Sequence, residues 1–452
     1  MLTILAALLS GLLWSGGTGL HPIAALTWLA PLPLLLVPGR AGPRAVAAAT
    51  AVAWLIGQVD VAGYYVRTLR IPVPMVAGVV VLGAALAVGT VLAARALLRR
   101  GRTVTAVLVV PALWVFGEYA VARLLPNGAW WSLAYTQADV RPVVQLAALT
   151  GIWGVTHLLL AVPIALAAVP RSPRPAVACL LALAVVTGGW AGWSLSRPPA
   201  GAGLTVGLVA LAQPEDGLPI DQPPGRELLA RYAARATGLA ARGARVIVLP
   251  EKVFRLTGVT LPVLIEAFRP VGARVIVGAV LDRRNVAIVL GPLTTYAKQK
   301  LIPGLEDWLV PGHDDLIIDG HLGVAICKDL DFPGLVRGYR AAGATVMLVP
   351  ALDFTVDGWL HSRMAVVRGV ESGMTVVRSA ASGRLTVSDP TGRIVGEAVA
   401  GDAELLVTVG SAGRGTVYTR TGDGFLIVLL IGVVSAAGRR FGNSADSSRR
   451  SA

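Results

Sequence analysis

Two kinds of hydrophobic pattern divide the chain. Up to about residue 200, and again near the C-terminus, apolar residues run almost unbroken. A membrane span needs about 20 mostly apolar residues. Such runs occur near 2–15, 21–37, 45–64, 73–94, 104–122, 150–168, 175–195 and 424–438. The first and last are short, so eight spans are expected, give or take one. The opening run lacks the basic n-region of a signal peptide. It is followed at once by the apolar stretch His21–Val37, which predicts an uncleaved hairpin.

Between these runs the period changes. From about Gly203, short β-branched runs alternate with helical stretches. Strands are predicted at Leu204–Leu211, Arg245–Leu249, Ala273–Val280, Val286–Leu290, Leu322–Ile326, Thr345–Val349 and Thr375–Ser379. A further strand pair is predicted from Arg384–Ser388 and Arg393–Glu397. Helices are predicted at Arg226–Arg242, Gly334–Ala342 and 359–372. The first of these carries Leu229, Tyr232, Ala233, Ala236 and Leu239 on one face. Continuous apolar strands alternating with helices imply a buried sheet covered by helices. The expected organisation is an α-helical membrane bundle over 1–200, an α/β domain over 201–415, and a final span with a basic tail over 416–452.

Composition agrees with this division. Of 452 residues 55% are apolar and 15% charged, against about 25% charged in a typical soluble protein. That excludes an ordinary cytosolic enzyme, and it excludes disorder, which needs the opposite balance. Two cysteines make no disulfide framework, and the five histidines show no metal-ligand spacing. The net charge of +14 would suit nucleic acid, but the placement of the arginines argues for a membrane and against a nucleic-acid partner. With a cytoplasmic N-terminus, the inner loops carry Arg40, Arg44, Arg95, Arg99, Arg100, Arg102, Arg171, Arg174, Arg439, Arg440, Arg449 and Arg450. The short outer loops carry only Arg67, Arg70, Arg123 and Arg141. Positive charge accumulates on the cytoplasmic side, so twelve against four places the α/β domain outside the cytoplasmic membrane.

Three reactive side chains sit where such a fold places its chemistry, just past strand ends: Glu251 after VIVLP, Lys298 in TTYAKQKLIP, and Cys327 after LGVAI. A cysteine becomes a good nucleophile only when deprotonated, which needs a base and a positive field. A carboxylate can take the proton, and an ammonium can stabilise both thiolate and oxyanion. Singly these signals are weak. A cysteine after an apolar strand is usually buried structure, a Glu after Pro is usually a solvated turn, and Lys298 competes with Lys252, Lys300 and Lys328.

Context is more specific. Glu251 in LPEKVF, Lys298 in YAKQKLIP and Cys327 in GVAICKDLDFPGLVR resemble the Glu–Lys–Cys signature of the nitrilase superfamily, whose fold is a four-layer αββα sandwich. The stretch HSRMAVVRGVESGMTVVRSAASGRLTVSDPTGRIVGE resembles the region that closes such domains, so the likeness covers roughly 203–410. The flanks resemble one membrane-bound branch, the apolipoprotein N-acyltransferase family. That likeness rests on TWLAPLPLLL, PALWVFGEYAVARLL, NGAWWSLAYTQ, VVQLAALTGIWG and TVYTRTGDGF. Two departures stand out. Lys328-Asp329 replace a common aromatic–glutamate pair, and Pro303-Gly304-Leu305-Glu306 replaces a loop usually resembling PFGE.

The resemblance implies a multi-pass enzyme of the cytoplasmic membrane with its catalytic domain on the outer side. It would move an acyl chain from a phospholipid, through a Cys327 thioester, to the α-amine of a diacylglyceryl-cysteine on a lipoprotein. Glu251 would be the base, Lys298 and the backbone near Lys328 and Asp329 would hold the oxyanion, and Glu306 would orient Lys298. No metal or nucleotide cofactor is implied, and the enzyme would act as a monomer. The alternative is a membrane-anchored carbon–nitrogen hydrolase, an amidase or nitrilase, in which water replaces the amine. A third reading is a membrane scaffold carrying a decayed domain. Eight spans speak against the hydrolase, and the presence of all three residues in context speaks against the scaffold. Elsewhere, Glu118 either serves function at membrane depth or pairs with Arg123. Trp130, Trp131 and Tyr135 read as an interfacial aromatic belt, and Cys179 as span packing.

Overall fold

The computed structural model describes residues 1–197, 200–399 and 401–449. Pro198 and Pro199, beside the expected boundary at 200, and Arg450 of the expected basic tail lie outside the described residues. The chain forms two compact units. One comprises Met1–Val121, Trp131–Trp193 and the residues from Thr421 onward; the other comprises Ala122–Trp130 and Ser194–Arg420. The stretch 122–130, expected in the bundle, thus joins the α/β unit.

In the first unit, helices occupy all eight apolar runs. Among the described residues three are long and apolar enough to cross a membrane: Val73–Arg99, Thr103–Leu124 and Pro173–Leu195. Pro43–Gly57 and Val59–Arg67, bent by 48°, make a fourth if they act as one span. Leu2–Gly17, Ala24–Leu36, Ile152–Ala168 and Gly424–Ala437 are shorter apolar helices. The run 21–37 breaks into Ala24–Leu29 and Leu32–Leu36 around Pro31, because proline removes a helix donor and clashes with the preceding turn.

Two polar side chains in this unit differ from expectation. Arg95 is no loop charge. It lies within helix Val73–Arg99, 5% exposed, and its guanidinium donates to the carbonyls of Leu34, Leu35 and Val37 at 2.8–3.1 Å. It thereby satisfies helix-end oxygens that would otherwise be orphaned in an apolar setting. Glu118 does not pair with Arg123. Its buried carboxylate accepts from Trp114 Nε1 (2.9 Å), Ser132 Oγ (2.8 Å), Thr156 Oγ1 (2.9 Å) and the Leu133 N–H (2.8 Å). It ties two helices to the turn at 132–133. Nor do the aromatics form a belt. Tyr135 is buried, and Trp131 packs on Trp114 with ring centres 6.3 Å apart.

The second unit contains two sheets. One runs Ala403–Ala412, Ala200–Ala210, Val246–Val248, Arg274–Leu281, Phe254–Leu256, Leu218–Pro219, and Arg284–Leu290 with Thr294–Ala297 extends it from Arg274–Leu281. The other runs Ile394–Val399, Arg384–Ser388, Thr375–Ala381, Val346–Leu352, Leu322–Val324, Leu316–Ile318. The central pairs are parallel, as in Val346–Leu352 on Thr375–Ala381, as is the edge pair Leu218–Pro219 on Phe254–Leu256; other outer pairs are antiparallel, as in Arg384–Ser388 on Ile394–Val399. One core joins both sheets through Val206, Val248, Ile276, Val324, Leu348 and Val377. On the far face of the first sheet, helix Pro223–Ala241 buries Leu228, Leu229, Tyr232, Ala236 and Leu239 against Ile247, Val275 and Val277. Helix Gly358–Ser372 lies on the second sheet and is buried nearly throughout. The layers are helix, sheet, sheet, helix: the buried sheet covered by helices that the strand pattern implies is present, doubled into the αββα sandwich that the resemblance implies.

Candidate active site

The candidate residues sit on three loops that follow strand ends, which is where α/β folds carry their chemistry. Glu251 follows Val246–Val248. Its loop can approach the neighbouring strand because residue 278 is glycine: a Cβ there would sit 2.1 Å from the Pro250 carbonyl and 2.5 Å from the Glu251 Cα. Lys298 follows Thr294–Ala297, an edge strand absent from the sequence reading, and its N–H donates to the Asn285 carbonyl at 2.8 Å. Cys327 opens a 3₁₀ turn after Leu322–Val324, with φ +45°. A left-handed non-glycine residue costs on the order of 1–3 kcal/mol and persists only where its surroundings hold it. Lys252, next to Glu251, is also left-handed at φ +52°.

The side chains form one buried network. Lys298 Nζ donates to Glu251 Oε1 and to Glu306 Oε2, each at 2.8 Å. Asn285 Nδ2 bridges the same carboxylates, at 2.6 Å to Glu251 Oε1 and 3.0 Å to Glu306 Oε1. Lys252 Nζ stands 3.5 Å from Glu306 Oε1, and the Ile302 N–H donates to Glu306 Oε2 at 2.9 Å. Glu251, Lys298 and Glu306 are all at most 1% exposed. Every hydrogen bond to the Glu251 carboxylate falls on Oε1, and Oε2 is buried without a partner. A buried unsatisfied carboxylate oxygen is costly, and it leaves one oxygen able to receive a proton.

The electrostatics suit that transfer. Burial and the Glu251 charge push the Cys327 thiol well above its ordinary pKa, against the pull of Lys298 and Arg378. Lys298 contacts Glu251 and Glu306 directly, and both Glu251 and Lys298 act electrostatically on the Cys327 sulfur. Burial alone would lower the Lys298 amine, but Glu251 and Glu306 hold it well above its usual range. Burial would raise Glu306, yet Lys298 and Lys252 hold it down to about 2. The resting pattern is a protonated thiol and an ammonium fixed between two glutamates.

Lys328 and Asp329, expected together near the oxyanion, separate in role. Asp329 is fully buried and accepts from Tyr296 Oη (2.8 Å) and the N–H groups of Ile326 (3.0 Å), Gln299 (3.2 Å) and Lys300 (2.8 Å). It clamps the lysine loop to the cysteine turn, while burial pushes its carboxyl up to about 6. Lys328 Nζ instead donates to Asn127 Oδ1 at 2.8 Å.

Some residues of this site escaped the sequence reading. Asn285 carried a signal, as a lone amide in the apolar strand Arg284–Leu290. Others gave none: Arg378 makes paired hydrogen bonds to Asp353, and the Trp130 indole N–H donates to His361 Nε2 at 3.1 Å. His361 Nδ1 lies 3.3 Å from Asp353 and 3.6 Å from Asp357. Asp353, Asp357 and His361 are close enough for a cation, but the Arg378 guanidinium already neutralises Asp353.

An αββα sandwich with a buried cysteine, lysine and paired glutamates, in one chain with an apolar helical unit, fits the class of membrane-associated enzymes. Residues 10–165 match the family described as apolipoprotein N-acyltransferase N-terminal domain. The apolipoprotein N-acyltransferase of Geobacter metallireducens is 28% identical over 97% of this chain and 95% of its own length. That of Bradyrhizobium diazoefficiens is 25% identical over 75% of this chain and 74% of its own. An amidase from Nesterenkonia sp., a solved structure, is 21% identical with a TM-score of 0.40, covering 50% of this chain and 96% of its own. The chain is thus similar to apolipoprotein N-acyltransferases over nearly its whole length.

Proposed function

We propose that the protein is an apolipoprotein N-acyltransferase that uses Cys327 as nucleophile, Glu251 as base and Lys298 as oxyanion donor. The carrying observation is the buried Lys298 held between Glu251 and Glu306 with Glu251 Oε2 left bare. Glu251 Oε2 takes the thiol proton as Sγ attacks the acyl ester of a phospholipid. Lys298 and the backbone N–H of Lys328 stabilise the tetrahedral oxyanion. Collapse breaks the ester C–O bond, and Glu251 returns the proton to the departing lysophospholipid. The neutral α-amine of a diacylglyceryl-cysteine then attacks the thioester carbon. Its proton passes through Glu251 to the leaving Sγ, which restores the thiol. Glu306 positions Lys298. A hydrolase would need no apolar unit matching the family's N-terminal domain. Mass spectrometry of a lipoprotein substrate should show its N-terminal diacylglyceryl-cysteine gaining one acyl mass only when the enzyme and a phospholipid are present. Release of free fatty acid with no mass gain would replace this reading with hydrolysis.

The same reading includes eight spans, the division near 200 and 415, residence in the cytoplasmic membrane and an outward-facing α/β unit. The support is the arginine asymmetry, which survives removal of Arg95 from the loop charges. A diacylglyceryl lipoprotein presents its amine at the outer leaflet, so an inward-facing site would never meet it. A reporter active only outside the cytoplasm should be active when fused after Ser411 and silent when fused after Ala452. Silence at Ser411, with the fusion inserted, would contradict the outward orientation.

A further inference from the structure

The cations of the active site are matched to carboxylates with one exception. Lys298 lies between Glu251 and Glu306, Lys252 faces Glu306, and Arg378 holds Asp353. Lys328, the residue after the nucleophile, has no carboxylate within ion-pair distance among the described residues, and its ammonium donates to the neutral amide of Asn127. It is nonetheless 7% exposed. Asp331 and Glu306 act on it only from beyond ion-pair distance, and a buried cation so incompletely compensated is destabilising, which favours an anion supplied from outside. The segment bearing Asn127 is held in place. The Ala129 N–H donates to the Asp331 carbonyl at 2.8 Å, and Gly128, at φ +57°, passes so close that a Cβ would meet that carbonyl oxygen at 2.5 Å.

We propose that Lys328 is a specificity residue that binds the phosphodiester of the acyl donor. This rests on the acyltransferase reading above. The phosphodiester is the permanent anion of every phospholipid and lies a few bonds from the ester that Cys327 attacks, so an ammonium one residue along suits it. The acceptor is the poorer occupant, because its group near the sulfur is an amine, which carries no negative charge for an ammonium to pair with. Burial, the largest influence, holds the Lys328 amine down to about 8 even with Asp331 opposing. It is therefore mostly charged at neutral pH, and an arriving phosphate would strengthen that charge.

The test is single-turnover thioester formation by the full-length protein, with a labelled phospholipid and a diacylglycerol of the same chains as donors. Charge-assisted hydrogen bonds contribute enough that Lys328→Gln should lower the phospholipid-to-diacylglycerol ratio of kcat/KM by about ten- to a hundredfold. Lys328→Arg should retain most of it. On the unaltered protein, soluble glycerophosphocholine should slow thioester formation from phospholipid, and glycerol at equal concentration should not. An unchanged ratio in Lys328→Gln, or equal effects of the two soluble compounds, overturns the phosphodiester role while leaving acyl transfer intact. A wild-type protein that forms no hydroxylamine-sensitive acyl adduct from either donor sinks the acyltransferase reading itself, and this inference with it.

Discussion

Cys327→Ala should carry no acyl label after incubation with labelled phospholipid, whereas the unaltered protein should carry a label that hydroxylamine removes. Loss should be complete rather than partial, since no other thiol stands near the Glu251–Lys298 pair. Cys179, the second cysteine, lies in helix Pro173–Leu195 of the other unit, so its persistence in the variant provides an internal control. Cys327→Ser should also fail. A hydroxyl is far harder to deprotonate than a thiol, and the site already works against burial to ionise sulfur. Folding should survive, because alanine removes one atom and the turn is held by Asp329 rather than by Sγ. The sulfur's own recorded contact is a long 3.7 Å one to the Leu352 carbonyl. Label on Cys327→Ala at the wild-type level would remove Cys327 from the nucleophile's place.

The sandwich was legible because its central strands are buried on both faces and read as unbroken β-branched runs, such as Val346–Leu352. The strands that escaped notice are short, polar, or paired with a segment far away in the chain. Thr294–Ala297 opens on two threonines at a sheet edge. Ala403–Ala412 pairs antiparallel with Ala200–Ala210, a partner some 200 positions away that no local pattern announces. The same distinction holds at the site. Glu251, Lys298 and Cys327 stand in recognisable local contexts, and the fold brings them together. The Arg378–Asp353 pair and the Asn127–Lys328 bond join segments distant in sequence, and neither member of either pair is unusual where it stands. In the apolar unit, Arg95 was counted as loop charge because hydropathy cannot tell a helix-end arginine in water from one folded back onto carbonyls.

Lys298→Ala should reduce acyl transfer by at least the roughly 10²–10³ in kcat that follows loss of one preorganised oxyanion donor. Two effects add to that figure. The variant leaves Glu251 and Glu306 buried with their shared cation gone, and Asn285 alone then bridges them. Two like charges in one dry site raise each other's proton affinity, so one carboxyl should become protonated near neutral pH. If that carboxyl is Glu251, the base is lost as well. Lys300→Ala is the matched control, two residues along the same loop. Lys300 is only partly buried, and its ammonium lies 5.1 Å from the Phe332 ring centre. Such a cation–π contact is worth about 0.5–1 kcal/mol at an exposed site, so its loss should slow turnover by no more than a few fold. The Lys300 N–H that holds Asp329 is backbone and survives the substitution. Thioester formation and transfer should both fall in Lys298→Ala, because each passes through a tetrahedral oxyanion at the same carbon. Equal losses in the two variants would mean that the ammonium between the glutamates is structural, and that the oxyanion is held by other donors.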